Sequence, residues 1–414
     1  MEPFVHLHVH TQYSLLDGQA SIDALVEKAQ ADGMKALAMT DHGNMFGIKE
    51  FYNKVKKKNG KHLDAVRACR KEADALKAKD SPTEEDGSRL ATLADEIAAA
   101  ESKLFKPILG CECYCARNGR ERKDGKEDLG GWHLIVLAKT LKGYKNLIKM
   151  VSISWTEGFY NRPRIDKALL EKYHEDLIVC SACLGGELPR HIMNGRTDKA
   201  EESLLWFKNL FGDDYYLELQ RHPTSDPTAD RTTYPRQQEV NRVLTELAAK
   251  HQVKLIASND VHFVNQENAE AHDRLICLST GKDFDDPARM RYSKQEWLKT
   301  TAEMNALFSD LPEVLRNTLE IAGKVEYYSI DNGPLMPDFP IPPEFENDDA
   351  YLRHLTYIGA EKKYAERLNE EVRERIDFEL GVIKSMGFPG YFLIVQDFIA
   401  AARGMGVSVG PGRG

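Results

Sequence analysis

His6-Leu7-His8-Val9-His10 stands near the start of the chain, three histidines alternating with two apolar residues. Extended backbone sends alternate side chains to one face, so a strand here projects His6, His8 and His10 together. The same punctuation recurs downstream. Thr40-Asp41-His42 ends the next apolar run, and Asn259-Asp260-Val261-His262 ends another far along the chain, with Asp260 and His262 sharing a face. One histidine on a strand reads as a satisfied core residue. Several imidazoles and carboxylates, each closing an apolar run, read instead as ligands for borderline divalent cations such as Zn²⁺ or Mn²⁺.

Working outward, the apolar runs are Phe4 to Val9, Ala36 to Met39, Ile108 to Tyr114, Leu134 to Ala138, Leu177 to Cys180, Tyr215 to Leu219 and Leu255 to Ala257. Segments such as Ser21 to Asp32, with Ser21 as N-cap, and Arg236 to His251 have the pattern of amphipathic helices. Strand and helix alternating over this length predict an α/β fold with a parallel sheet, closed or nearly closed as a βα barrel. Loops at strand C-termini then carry the chemistry. His10, His42, Glu112, Cys183, Asp260 and His262 fall at or just after a strand candidate. His133 breaks the rule, because it begins its run.

At 414 residues the chain is long enough for a large barrel and a second module. Hydrophobic residues make up 42% and charged residues 29%, an ordinary soluble balance. Mean hydropathy is -0.49, and no run approaches the roughly 18 apolar residues of a membrane helix. Met1-Glu2-Pro3 offers no basic or apolar leader, so no secretion signal is expected. Seven cysteines, an odd number, argue against a disulfide framework and for a reducing cytoplasm. Net charge is -9, so bulk electrostatics do not announce a nucleic-acid binder. The basic clusters around Lys54 to Lys61 and Arg117 to Lys126 read as solvated surface.

Lys54 to Lys79 is basic and Asp80 to Glu101 acidic, both rich in helix formers. They predict a helical hairpin of about 54–101, inserted between the second and third strands and paired by opposite charge. A solvated insertion is the simpler reading, a partner-docking arm the other. Composition changes near residue 285. A helical stretch from Ser293 to Val325, interrupted at Leu311-Pro312, leads to a proline-rich linker over Gly333 to Pro343. A charged helix from about Asp348 to Met386 and another from Tyr391 to Arg403 follow. The expected domains are therefore 1–285 and 286–414. The second reads as cut off in mid-fold, where a strand at Val407 to Val409 enters Gly410-Pro411-Gly412-Arg413-Gly414.

The ordered set His8, His10, Asp17, His42, Glu112, His133, Cys183, Asp260 and His262 resembles the ligand pattern of the polymerase and histidinol phosphatase (PHP) domain. The resemblance implies a (βα)7 barrel holding up to three divalent metals. More closely, Phe4 to Thr11 with Tyr13-Ser14 and Leu16-Asp17-Gly18 resembles the opening of bacterial DNA polymerase III alpha subunits. Leu311-Pro312-Glu313, Asn317-Thr318, Gly390-Tyr391-Phe392-Leu393-Ile394-Val395 and the terminal glycine loop are similar to later parts of that family. This covers essentially the whole chain except Lys54 to Glu101. It implies a PHP barrel followed by an incomplete, mainly helical start of a polymerase palm.

The resemblance further implies that His8, His10, Glu112 and Asp260 hold one metal and act in catalysis. Glu112 would bridge to a second metal with His133 and Cys183, and Asp17, His42 and His262 would hold a third. Histidine is the commoner residue at the positions of Asp17 and Cys183, but both remain competent ligands, which leaves the metal open between Zn²⁺ and Mn²⁺. Gly410, Gly412, Arg413 and Gly414 would contact nucleotide phosphate. For the parent polymerase the implied partners are primed DNA, deoxynucleotides, Mg²⁺, a sliding clamp, a clamp loader and a proofreading subunit, with no membrane. This stretch alone, lacking the palm aspartates, is not expected to polymerise. The expected activity is metal-dependent 3′→5′ exonuclease hydrolysis. The alternatives are a metal-stabilised scaffold and a histidinol-phosphatase-like phosphoesterase.

Other residues admit rival readings. Cys180-Ser181-Ala182-Cys183 is a CxxC, but Leu184-Gly185-Gly186 is a poor helix start, so a redox pair is disfavoured. Cys111, Cys113 and Cys115 alternate with Glu112 and read as packing on the opposite face. His6 reads as a hydrogen-bonding residue beneath the site. Arg221-His222 could face it. His62, His174, His191, His251, His272 and His354 read as surface.

Overall fold

Six of the apolar runs form strands in the computed structural model, which describes every residue except Asp80, Pro82, Pro334, Pro411, Arg413 and Gly414. They are β1 (Ala36–Met39), β2 (Lys106–Cys115), β3 (Trp132–Ala138), β5 (Leu177–Cys180), β6 (Tyr215–Gln220) and β7 (Lys254–Ser258), with an unexpected short β4 (Arg164–Ile165). The sheet order is β1-β2-β3-β5-β6-β7, and β4 pairs with β2.

The expectation of an all-parallel sheet fails at β3, which runs antiparallel to both β2 and β5. The reason lies in the connection. Parallel neighbours need a crossover, usually a helix, whereas antiparallel ones can be joined by a loop. Residues 116–131 contain no helix.

The opening segment is not a regular strand, yet it closes the ring. The Ala38 and Thr40 amides donate to the carbonyls of His6 (2.9 Å) and Val9 (2.8 Å). On the other side His10 N donates to Val261 O at 2.7 Å, and Val261 N to His8 O at 3.1 Å. The segment thus lies between the β1 edge and the loop leaving β7. A bend at His8 breaks the strict alternation. His8 and His10 consequently enter the site, while His6 turns away and pairs with the Lys299 carbonyl at 2.8 Å. The shared face expected for all three histidines does not form.

Along each strand the inward side chains change character. Ala36, Ala38, Ile108, Ile135, Leu137, Ile178, Tyr216 and Ile256 join Val5 and Leu7 in an apolar interior. Further along the same faces come Thr40, Glu112, His133, Glu218, Gln220 and Ser258, so one end of the barrel is polar. The apolar end is covered by Ile321, Ala322 and Val325 of the helix Glu313–Lys324 and its C-cap. Burial of Ile321 and Val325 contributes about 1.5–3 kcal/mol each. This packing carries the first compact unit to Ile330, past the composition change near 285, and Asp331–Gly414 forms the second. The outward faces, including Cys111, Cys113 and Cys115, pack under the surrounding helices. All seven cysteines are free.

The insertion is a hairpin of helices Gly60–Lys77 and Glu84–Glu101. Its arms are tied by Arg70–Glu101 (2.7 Å) and Arg89–Glu72 (2.7 Å), and near its turn Lys79 pairs with Asp86 (2.6 Å). Lys54 to Lys58 belong instead to the preceding barrel helix Ile48–Lys58, where Lys54 pairs with Asp23. In the second unit the expected single helix over 348–386 is two, Asp348–Tyr364 and Glu370–Ser385. Ala365 at φ 48° breaks it, and Asn369 caps the second piece. A third helix, Pro389–Gly404, follows, and the three share a small core around Leu352, Leu380 and Leu393. Val407 to Val409 is irregular rather than a strand. Among the described residues no single helix is long and apolar enough to cross a membrane.

Candidate metal centre

The reversal of β3 explains His133. An antiparallel strand begins at the end where its neighbours finish, so the first residues of β3 sit beside the last residues of β2. All nine expected ligands therefore meet at the polar end of the barrel.

Glu112 is the hub. Its Oε1 lies 2.8 Å from His133 Nδ1, 3.4 Å from His8 Nε2 and 3.8 Å from Cys183 Sγ. Its Oε2 lies 2.5 Å from His42 Nδ1 and 3.6 Å from His10 Nε2. Asp260 Oδ1 approaches His8 Nε2 at 3.0 Å and His10 Nε2 at 3.3 Å. Asp17 Oδ2 is 3.2 Å from His42 Nε2. The His262 ring stands 4.4 Å from that of His10.

Local backbone holds these groups in place. Asp17 sits on a tight turn whose Gly18 has no room for a side chain: a Cβ there would come within 1.8 Å of the Thr11 carbonyl. Gly185 likewise lets the loop after β5 press on His133, whose ring a Cβ would meet at 2.9 Å. Asp260 has φ 47°, in the left-handed region that costs a side-chain-bearing residue energy, a strain characteristic of functional positions.

A second layer, missed in the sequence, aims the imidazoles. His8 Nδ1 is paired with Glu218 Oε1 at 2.7 Å, which leaves Nε2 facing Asp260 and Glu112. Glu218 is itself held by Ser258 and by Gln220 Nε2. His10 Nδ1 meets Ser14 Oγ at 3.0 Å, and Ser14 donates to Asp41 at 2.8 Å. Asp41 also accepts from the Thr11 amide and hydroxyl. The available signal for Glu218 was a lone carboxylate inside the apolar run Tyr215 to Leu219. His222 lines the cavity, whereas Arg221 points away to Asp310. His191 and His272 are buried rather than surface residues, and of the six histidines without a motif only His354 is exposed.

Carboxylates and imidazoles set one another's charge in this buried cluster. Burial opposes ionisation of Glu112 and Asp260, but the surrounding histidines outweigh it and hold both carboxyls well below their usual range. Asp17 is held down in the same way, chiefly by His42. Burial also disfavours charge on His8 and His42, yet Asp260, Glu218, Asp17 and Glu112 raise both imidazoles well above normal. His10, buried beside His42 and His262, is lowered to about 3. Burial, with Asp260 and Glu112 nearby, pushes the Cys183 thiol up. Such a thiol becomes a thiolate ligand only with a cation beside it.

The residues fit divalent cations. Asp17 Oδ1 and His262 Nε2 are buried without a hydrogen-bond partner, and His42 Nδ1, Glu112 Oε2 and Asp260 Oδ1 meet their neighbours only as ion pairs that lack hydrogen-bond geometry. Leaving such a group unsatisfied costs about 1–3 kcal/mol. Three sets, His8/His10/Glu112, His42/Glu112/His133 and His10/His42/His262, each bring their ligand atoms within 4.8 Å of one another. Imidazole, carboxylate and thiol donors together suit borderline cations.

A curled α/β sheet with a histidine–carboxylate cluster at one end is the architecture of a barrel suited to divalent cations. Residues 6–222 match the family model described as PHP domain, and the chain belongs to that family. Residues 350–414 match the model described as Bacterial DNA polymerase III alpha NTPase domain. Among curated proteins the chain is similar to DNA polymerase III subunit alpha of Borreliella burgdorferi, at 42% identity over 99% of this chain and 31% of that protein. The corresponding subunits of Treponema pallidum (38% identity, 99% and 31%) and Thermus aquaticus (35%, 99% and 34%) are also similar. The chain thus spans about a third of the length of these relatives.

Proposed function

We propose that the PHP metal centre hydrolyses phosphodiesters, removing the 3′-terminal nucleotide of a DNA strand, within a replicative polymerase alpha subunit. The observation that carries this reading is the convergence of eight ligand-competent side chains around Glu112, below a cavity of about 410 Å³ also lined by Arg162, Arg190 and Arg291. Two cations held by one carboxylate activate water and steady the leaving oxygen of a phosphoester. His8, His10, Glu112 and Asp260 would hold the first cation, Glu112 with His133 and Cys183 the second, and Asp17, His42 and His262 the third. Zn²⁺ or Mn²⁺ suits this donor set. Glu218 and Ser14 orient His8 and His10, and the arginines supply positive charge for the substrate phosphate.

The names of the relatives support placing the chain in a DNA polymerase III, and a cytoplasmic location belongs to the same proposal. The expected company is primed DNA, deoxynucleotides, Mg²⁺ at the polymerase site, a sliding clamp, a clamp loader and a proofreading subunit. The phosphate-contacting role of the terminal loop stays a proposal. Gly410 and Gly412 are exposed, and Arg413 and Gly414 lie outside the described residues.

The test is turnover of a 3′-labelled single strand by metal-loaded chain, with Asp260→Asn beside it. Loss of product in the variant and on chelation is expected, and unchanged metal-dependent hydrolysis in Asp260→Asn overturns the assignment. The full burial of His8, His10 and Glu112 favours a second reading, cations that only brace the strand ends. That scaffold predicts a lower melting temperature on chelation with no turnover under any metal.

A further inference from the structure

A second cavity, of about 280 Å³, adjoins the metal centre. The two share Asp17, His42, Tyr114 and Arg162 in their walls, so they are continuous. The far wall of the second is aromatic and open to water: Phe46 is 58%, Trp155 42% and Phe159 45% exposed. The Trp155 and Phe159 rings stack with centroids 5.6 Å apart and planes 21° apart. Phe46 lies 6.0 Å from Trp155 at 36°. Trp155 is fixed by its indole N–H, which donates to the Gly43 carbonyl at 2.8 Å. Its exposed ring surface is therefore offered in a set orientation.

None of this is needed to hold a cation. Contiguous exposed aromatic surface at the rim of a polar cleft marks a binding site rather than a core. The junction between the two cavities carries one guanidinium, that of Arg162, and the Asp17 carboxylate, a candidate metal ligand. Arg162 lines both, with its guanidinium 5.9 Å from the centre of the Tyr114 ring. A ligand that spans the pair needs a phosphate between the metal end and Arg162 and a flat apolar body against Trp155. A nucleotide has both, joined through its sugar. Stacking on aromatic rings is tolerant of base identity because every base has a π-face.

We propose that Phe46, Trp155 and Phe159 form a stacking platform for the unpaired base of a terminal nucleotide of single-stranded DNA, beside the phosphate held at the metal centre. The proposal rests on the phosphodiesterase reading above and adds its substrate selectivity. A paired terminal base is held by its partner and stacked on its inner neighbour, so it reaches the platform only once that pair opens. Frayed or mispaired ends are thus preferred over paired ones by access alone, without readout of base edges.

The experiment compares binding of two labelled oligomers to the full chain by fluorescence anisotropy: a short oligothymidylate and an abasic deoxyribose-phosphate strand of equal length. Wild type binds the base-bearing strand about tenfold or more tightly. Trp155→Ala and Phe159→Ala, both exposed positions, abolish that preference and leave abasic affinity and metal content as in wild type. Equal affinity of wild type for the two strands overturns the proposal, as does a preference that survives the double variant. Metal-dependent cutting of the abasic strand reports separately on the metal centre, so failure of one reading is distinguishable from failure of the other.

Discussion

The metal centre and the inserted hairpin are both built from ionisable side chains, and they differ in where the water is. On the hairpin, Arg89 and Glu72 are 38% and 48% exposed, and their pairing is screened. At the centre His8 and Glu112 are 0% and 1% exposed. There each charge has lost its hydration, and its cost is offset only by the groups around it. Charge in water tolerates change; desolvated charge commits its neighbours. The contrast separates a solvated insertion from a functional centre more firmly than residue type does.

The largest expected effect that would break this contrast is at Glu112. Glu112→Gln should lower bound metal from about two or three ions per chain to fewer than about one, and reduce hydrolysis by about a hundredfold or more. Elemental analysis beside turnover checks it. If the variant retains full metal, Glu112 is not the hub.

Glu218 comes next, because it touches no other ligand than His8. Glu218→Gln should weaken metal affinity by about ten- to a hundredfold, read by competition with a chromophoric chelator. An unchanged affinity would mean that His8 needs no partner to aim it.

Acidity supplies a smaller and graded effect. In the metal-free chain His8 and His42 retain protons to higher pH than ordinary imidazoles, and the Cys183 thiol is also held protonated. Each proton displaced on metal uptake makes affinity fall by about tenfold per unit as pH decreases. Titrations at about pH 6 and 8 should show tighter binding at the higher value, and a flat profile would contradict the charge balance described. The smallest effect belongs to the hairpin. Arg89→Ala should leave metal content unchanged and move the melting temperature by less than about 2 °C. A larger shift in calorimetry would place the hairpin in the energetic core.

What could be read from the sequence follows from what periodicity encodes. Alternation and run ends identify faces and termini, so His8, His10, His42, Glu112, Cys183, Asp260 and His262 were all legible. Periodicity is blind to strand direction. His133 therefore entered only through family resemblance, and its logic became visible once β3 proved antiparallel. A helix-free connection at 116–131 was the unused clue. The second layer was hidden for a different reason. Glu218 and Asp41 sit far from their partners in sequence, Ser14 is close to His10 but carries no mark of its role, and nothing local distinguishes a carboxylate that aims a histidine from one that faces water. Helix breaks were also missed, since Ala365 in a left-handed conformation carries no compositional mark.

The opening segment, clasped between β1 and Val261, has a consequence for synthesis. Its first neighbour leaves the ribosome almost at once, but the other follows about 250 residues later. At translation rates of about 5–20 residues per second, His8 and His10 wait roughly ten to fifty seconds before Asp260 exists. The full set of nine side chains thus exists only after the last strand of the barrel has arrived.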